Sequence, residues 1–217
     1  TGQLIYQDPK VSKELKGLPA GRQVSKEKVG ETLPNKLTHV IFTLDKGAML
    51  YYNDARRFGW IKVVKTSEVQ NLPYFKGMGP EPFKDLMLDY FKKVLNSSGL
   101  AVKPLIMDQK RIGGIGNIYA NDACYFAKID PRRPAKSLKE PEIKLLFEGV
   151  HKVMKEGMKY GGSSELNYVN ALGQEGSYQD HTLAYGREGD ICERDGGRFK
   201  KFYLGGRGTY FCPNCQK

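Results

Sequence analysis

At 217 residues, 40% of them hydrophobic, the chain is long enough for one or two domains with real cores. Its 35 Lys and Arg against 24 Asp and Glu leave a net charge of +11 and a pI of about 9.4, which favours a polyanionic partner, either nucleic acid or an anionic membrane surface. No apolar run reaches membrane-spanning length, no signal peptide opens the chain, and the four cysteines do not have disulfide-framework spacing, so a reducing cytoplasm is the expected setting.

The first third reads as β structure. LTHVIFTL (37–44) and AMLYY (48–52) flank Asp45-Lys46-Gly47, a short glycine-bearing connection suited to a hairpin, and FGWIKVV (58–64) is a third strand candidate. Residues 17–36 are polar and are expected to form a long exposed loop. GMGPEP (77–82) reads as an interdomain linker. Beyond it Phe83, Leu86, Met87, Tyr90, Phe91, Val94 and Leu95 recur at helical spacing, and Ser97-Ser98-Gly99 ends that helix.

Gly113, Gly114 and Gly116 then lead into a helix that starts near Asn117. A glycine turn at a helix N-terminus offers free amides and a positive dipole end to a phosphate. The same glycines also suit a plain helix hairpin that needs only close packing. A second helix is expected from Pro141 to Tyr160, with Ile143, Leu146, Phe147, Val150, Val153, Met154 and Met158 on one face and Gly161-Gly162 as its stop. These apolar stripes are core.

The tail poses a metal question. Cys124 sits alone in an apolar helical stretch, whereas Cys192, Cys212 and Cys215 fall in the pattern CxxD, sixteen residues, CxxC. Zinc accepts a carboxylate oxygen beside thiolates, so Cys192, Asp195, Cys212 and Cys215 form a candidate site, weakened by the aspartate. They are expected to converge on one tetrahedral point at the tip of a two-stranded hairpin, with Gly205-Gly206 near its bend. The other reading makes Asp195 a turn residue before Gly196-Gly197, with metal weakly held or absent.

Four stretches carry a resemblance: DARRFG (54–59), KPLIMDQKRIGGIGNIYAND (103–122), LAYGREGDIC (183–192) and GGRGTYFCPNCQK (205–217). In the same order over essentially the whole chain, they resemble the Fpg/MutM branch of the Fpg/Nei DNA glycosylases, bacterial repair enzymes for oxidised purines. The resemblance implies an α+β protein in three parts. These are the remainder of an N-terminal β-sandwich (1–76), a helix–two-turn–helix domain with a lid loop near 163–181 (77–182), and a C-terminal β-hairpin zinc finger (183–217). The implied partner is damaged double-stranded DNA, the implied cofactor one zinc ion, and the implied state a monomer with no membrane attachment.

Residue roles follow from the same resemblance. Phe58 matches the wedge that enters the emptied base stack, Arg56 the residue facing the orphaned cytosine, and Arg57 a backbone contact. His39, Lys103 and Asn117 match phosphate-binding residues. Arg207 matches the finger arginine that grips phosphates beside the lesion and assists elimination, and is the one catalytic group carried over. Gly99 falls where many relatives have a basic DNA contact. The family's N-terminal proline nucleophile, its glutamate and its sandwich lysine have no counterpart among these residues. TGQLIYQ instead matches an interior family strand, so the polypeptide as written is expected to be inactive; an incomplete gene is one explanation, and a non-catalytic DNA-binding protein derived from the family is the alternative.

Overall fold

The computed structural model describes residues 2–8, 25–30, 32–165 and 168–217. Residues 1, 9–24, 31 and, in the lid region, 166–167 lie outside the described residues, so the loop expected at 17–36 is described only in part; there it includes a short helix and a buried Val29 rather than being exposed throughout. Two compact units form: Thr1–Val63 with Gly157–His181, and Val64–Glu156 with Thr182–Lys217. No helix among the described residues is long and apolar enough to cross a membrane.

The first unit is an antiparallel sheet of β1 (Gly2–Gln7), β2 (Thr38–Thr43) and β3 (Met49–Asp54) in the order β1-β3-β2, with the short helix α1 (Lys26–Val29) beside it. The strands are rich in β-branched and aromatic residues, which fit a pleated, half-buried surface. Ile5 and Tyr51 are cross-strand partners and pack with Val29 and Val169 into a small core. The region matched to the lid is fastened here: Tyr6 N donates to Ala171 O at 2.6 Å, and Lys28 pairs with Glu175 at 3.2 Å. The expected β2–β3 connection is a 3-10 turn in which Lys46 and Gly47 both take positive φ.

The expected strand at 58–64 does not form. Phe58, Trp60, Ile61 and Val63 are all exposed, Val63 to 92%. No described strand pairs with 58–64: in the sheet the two positions beside β3 are taken by β1 and β2. β1 takes the third place in the sheet.

The second unit is helical. α2 (Pro73–Lys76) leads in, followed by α3 (Leu88–Asn96), α4 (Val102–Ile106), α5 (Asn117–Phe126) and α6 (Glu140–Lys159). Phe91, Leu95, Leu105, Ile106, Leu146 and Val150 lie at the centre of one core. Cys124 joins that core fully buried, and burial pushes its thiol up to about 12, so it acts as a small apolar side chain. α3 starts at Leu88, five residues after Phe83. The Glu81 carbonyl accepts the amides of Lys84, Asp85 and Leu86, a turn that holds Phe83 at φ 66 and keeps it out of the helix. GMGPEP is built into this unit: Gly79 N donates to Gln109 O at 2.8 Å and Gly113 N to Pro80 O at 3.0 Å.

The chain ends in a hairpin of β4 (Lys200–Leu204) and β5 (Arg207–Phe211). Gly205 and Gly206, at φ 58 and 74, make a turn with two left-handed residues that a side chain would strain. The hairpin is stitched to the helical unit by Lys217 N to Lys128 O and Asp130 N to Lys217 O, both 3.0 Å. Arg132, bidentate on Asp130, lies over the Phe202 and Phe211 rings at 5.0 and 4.6 Å.

Candidate metal centre and nucleic-acid interface

The metal ligands gather at the open end of the hairpin, not at its tip as the spacing suggested. Cys192 and Asp195 precede β4, and Cys212 and Cys215 follow β5, so antiparallel strands necessarily bring them together where the strands begin and end. The four ligand atoms lie within 4.8 Å of one another. Cys192 Sγ is 3.9 Å from Cys215 Sγ, and Cys212 Sγ is 3.3 Å from Asp195 Oδ2. Tetrahedral zinc would set two sulfurs about 3.8 Å apart and a sulfur and a carboxylate oxygen about 3.5 Å apart. The donor set fits zinc in both chemistry and span.

Local geometry prepares the ligands. Gly197 N donates to Asp195 Oδ1 at 2.8 Å, which fixes the carboxylate and holds its pKa below the ordinary value. Burial alone would raise the Cys192 thiol, but hydrogen bonds from the Tyr125 hydroxyl and the Arg194 amide outweigh it and bring it down. Burial and the neighbouring thiols push Cys215 up to about 12. A divalent cation reverses that last shift, because binding deprotonates its thiol ligands.

The tip of the same hairpin presents Arg207, exposed, at the start of β5. A polar network holds β5 on α5. Asn121 Oδ1 accepts from Tyr210 N at 2.7 Å, and Asn117 Nδ2 donates to Gly208 O at 3.2 Å. Beneath them Lys103 is 1% exposed and donates to Asn117 Oδ1 (2.7 Å), Thr209 Oγ1 (2.9 Å) and Gly208 O (3.3 Å). Burial, reinforced by the Arg207 guanidinium, brings its pKa down to about 8. Lys103 thus meets Asn117 and the strand that carries Arg207, while Asn117 does not cap its own helix: Gly116 is the N-cap residue.

The remaining predicted residues lie on the first unit. His39 sits at a register shift between Thr38 and Val40, so it is the extra residue of a bulge, a device that turns a side chain outward. Its Nε2 lies 2.9 Å from Asp54 O. Arg56, Arg57 and Phe58 form an exposed turn with Phe58 78% accessible, the Arg56 guanidinium 5.4 Å from its ring centre, and Arg57 at φ 58. An accessible aromatic beside a non-glycine residue in a left-handed conformation marks a loop shaped for contact. A hollow of about 230 Å³ lies beside it, lined by His39, Tyr52, Asp54, Arg57 and Trp60.

Asp54 organises that turn and was missed by sequence reasoning. Its carboxylate accepts from Arg56 N (3.1 Å), Gly59 N (2.8 Å) and the Tyr52 hydroxyl (3.3 Å). The aspartate opening DARRFG was a usable signal, since such a side chain closes turns onto following amides. Gly59 is required for space: a Cβ there would stand 1.5 Å from the Tyr52 hydroxyl. Gly59→Ala is expected to cost about 1–3 kcal/mol, the usual range for overpacking. Adding Tyr52→Phe should recover part of that loss. A thermal melt of the two variants checks this, and an unaltered melting temperature in Gly59→Ala would contradict the close approach.

A helical body with a glycine turn, joined to a cysteine-rich hairpin that presents an arginine, defines a polyanion-binding protein of the metal-finger class. The formamidopyrimidine-DNA glycosylase H2TH domain matches residues 78–168, and the zinc finger found in FPG and IleRS matches residues 189–217. The chain is 39% identical over 189 residues to the formamidopyrimidine-DNA glycosylase of Pelotomaculum thermopropionicum, covering 87% of this chain and 68% of that one. The Streptococcus mutans enzyme is 39% identical over 188 residues, covering 86% and 69%. Among solved structures, Lactococcus lactis Fpg in complex with DNA containing an abasic site superposes with a TM-score of 0.79 at 32% identity, covering all of this chain and 72% of that one. MutM (Fpg) of Thermus thermophilus gives 0.78 at 35% identity, covering 84% and 70%. The chain belongs to the formamidopyrimidine-DNA glycosylase family.

Proposed function

We propose that this chain provides the DNA-gripping parts of a glycosylase and abasic-site lyase that removes oxidised purines, 8-oxoguanine and formamidopyrimidines, from duplex DNA. The observation that carries the proposal is the Lys103–Asn117–Gly208 network, which fixes an exposed arginine at the tip of a metal-held hairpin. Such a frame suits a rigid grip on phosphates. Phe58 is proposed as the wedge, with Arg56 facing the unpaired base and Arg57 and His39 on the backbone; the lesion base would be flipped out for chemistry. Cys192, Asp195, Cys212 and Cys215 would hold zinc, which supplies the hairpin with the rigidity that two strands lack.

In the reaction implied by family membership, a secondary amine attacks C1′, the glycosidic bond breaks with protonation of the departing base, and the iminium so formed supports strand cleavage by elimination. The 217 residues contain no counterpart of the proline that supplies this amine, so the polypeptide alone should bind and not excise. A non-catalytic DNA-binding protein derived from the family has the same expected behaviour. Borohydride trapping on an 8-oxoguanine duplex tests the point, and a trapped covalent adduct would refute it. Joining a family N-terminal segment ahead of Gly2 separates the two readings, because only the glycosylase reading expects cleavage to appear.

Phe58→Ala should reduce affinity for an abasic-site duplex about tenfold or more, since stacking on an aromatic is worth about 1–3 kcal/mol. Binding to undamaged duplex, which rests on phosphate neutralisation, should change by less than about threefold. Equal losses on both duplexes, measured by anisotropy at fixed salt, would remove Phe58 from the role of wedge.

A further inference from the structure

Tyr125 lies in α5, in the helical body, yet its hydroxyl oxygen is 3.3 Å from Cys192 Sγ. The residue is 5% exposed. Its ring stands 5.2 Å from that of Phe199, and the Arg194 guanidinium lies over it at 3.9 Å from the ring centre. The other donors to the ligands come from within the finger's own loops: the Arg194 amide to Cys192, the Asn214 and Cys215 amides to Cys212, and the Gly197 amide to Asp195. Among the described residues, the Tyr125 hydroxyl is the side-chain donor that reaches these sulfurs from another element.

A metal-bound sulfur is a thiolate, which accepts hydrogen bonds and has no proton to give, so the phenol must be the donor of this pair. Three thiolates and a carboxylate place four negative charges around a divalent cation. Each hydrogen bond drawn onto a sulfur lowers that excess and makes the ligand harder to protonate away. An outer-sphere donor of this kind also fixes the direction of the ligand. The guanidinium over the ring adds positive potential where the phenol gives up proton density.

We propose that Tyr125 is an outer-sphere partner of the finger's metal, donating to Cys192 and so linking metal retention to the docking of the finger on α5. The proposal rests on the metal-site reading above. It makes the helix part of the metal centre, and it assigns a compensating donor to a site in which one ligand is an oxygen.

The test is Tyr125→Phe, which keeps the ring and its packing and removes the hydroxyl. Zinc affinity, measured by competition with a chromophoric chelator, is expected to fall about 10–100-fold. In the cobalt-substituted protein the sulfur-to-cobalt charge-transfer band is expected to shift, a signature that loss of packing would not produce. Unchanged affinity and an unchanged cobalt spectrum would overturn the proposal. Should Tyr125→Phe fail to fold, 3-fluorotyrosine in place of Tyr125 is used instead: its more acidic phenol donates more strongly, so the cobalt charge-transfer band is expected to move, and an unmoved band would likewise overturn the proposal. If the unaltered chain binds neither zinc nor cobalt, the metal-site reading falls and this proposal with it.

Discussion

Stripping the metal with a chelator, or replacing Cys212 by Ser, is expected to release the C-terminal hairpin while the helical body stays folded. Two strands alone are marginal in water. The buried cluster behind this hairpin consists of Tyr125, Ala184, Cys192, Phe199 and Cys212, so two of its five members are themselves ligands. Structural zinc contributes on the order of 10 kcal/mol to small fingers near neutral pH, far more than so small a cluster can replace. The core of α3 to α6 contains none of the ligands and should survive. Hydrogen exchange after chelation checks this: amides in 189–211 should lose protection and those in α5 and α6 should keep it. Loss of protection throughout would show that finger and body unfold as one unit. Asp195→Ala should weaken zinc by more than about 100-fold, beyond the usual cost of losing an outer-sphere partner. Asp195→Cys should tighten it, because a thiolate is the softer ligand.

That metal centre was legible because thiolate spacing is a local code. CxxD and CxxC each close a knuckle within four residues, and an antiparallel hairpin brings the two together. Which end of the hairpin they occupy depends on strand order, and spacing alone placed them at the wrong end. Helical periodicity located α6 within a residue at each end, because its apolar stripe is long and its stops are glycines. The same kind of pattern overran the start of α3, where Phe83 and Met87 keep helical spacing but remain exposed. Periodicity does not register that the Glu81 carbonyl is already shared by three amides. The run at 58–64 shows a wider limit: strand pattern expresses what a segment could pair with, and pairing needs an edge that sequence does not locate.

Lys103 shows where sequence says least, since a lysine matched to phosphate contacts reads as exposed and the structure buries it. Its expected signature is a pH dependence of stability. The folded pKa, about 8, lies below the ordinary lysine value of 10.5. The folded state therefore disfavours the ammonium. The resulting penalty is present in full below pH 8 and disappears as pH rises from about 8 towards 10.5, so stability should increase across that window. The neighbouring Cys124 thiol on α5, pushed up to about 12 by burial, stays neutral and does not titrate within it. A shift of this size corresponds to roughly 2 kcal/mol after allowance for screening, or about 5 °C in melting temperature for a chain of this length. Lys103→Met removes the titration but strands the Asn117 and Thr209 oxygens, a loss of about 1–3 kcal/mol that does not vary with pH. The informative quantity is therefore the difference between the two melting profiles from pH 7 to 10.5. The native chain should gain on the variant as pH rises, and removal of the general repulsion among its other lysines cancels in the subtraction. Parallel profiles would mean that Lys103 is hydrated in solution, and the rigid seat assigned to Arg207 would lose its support.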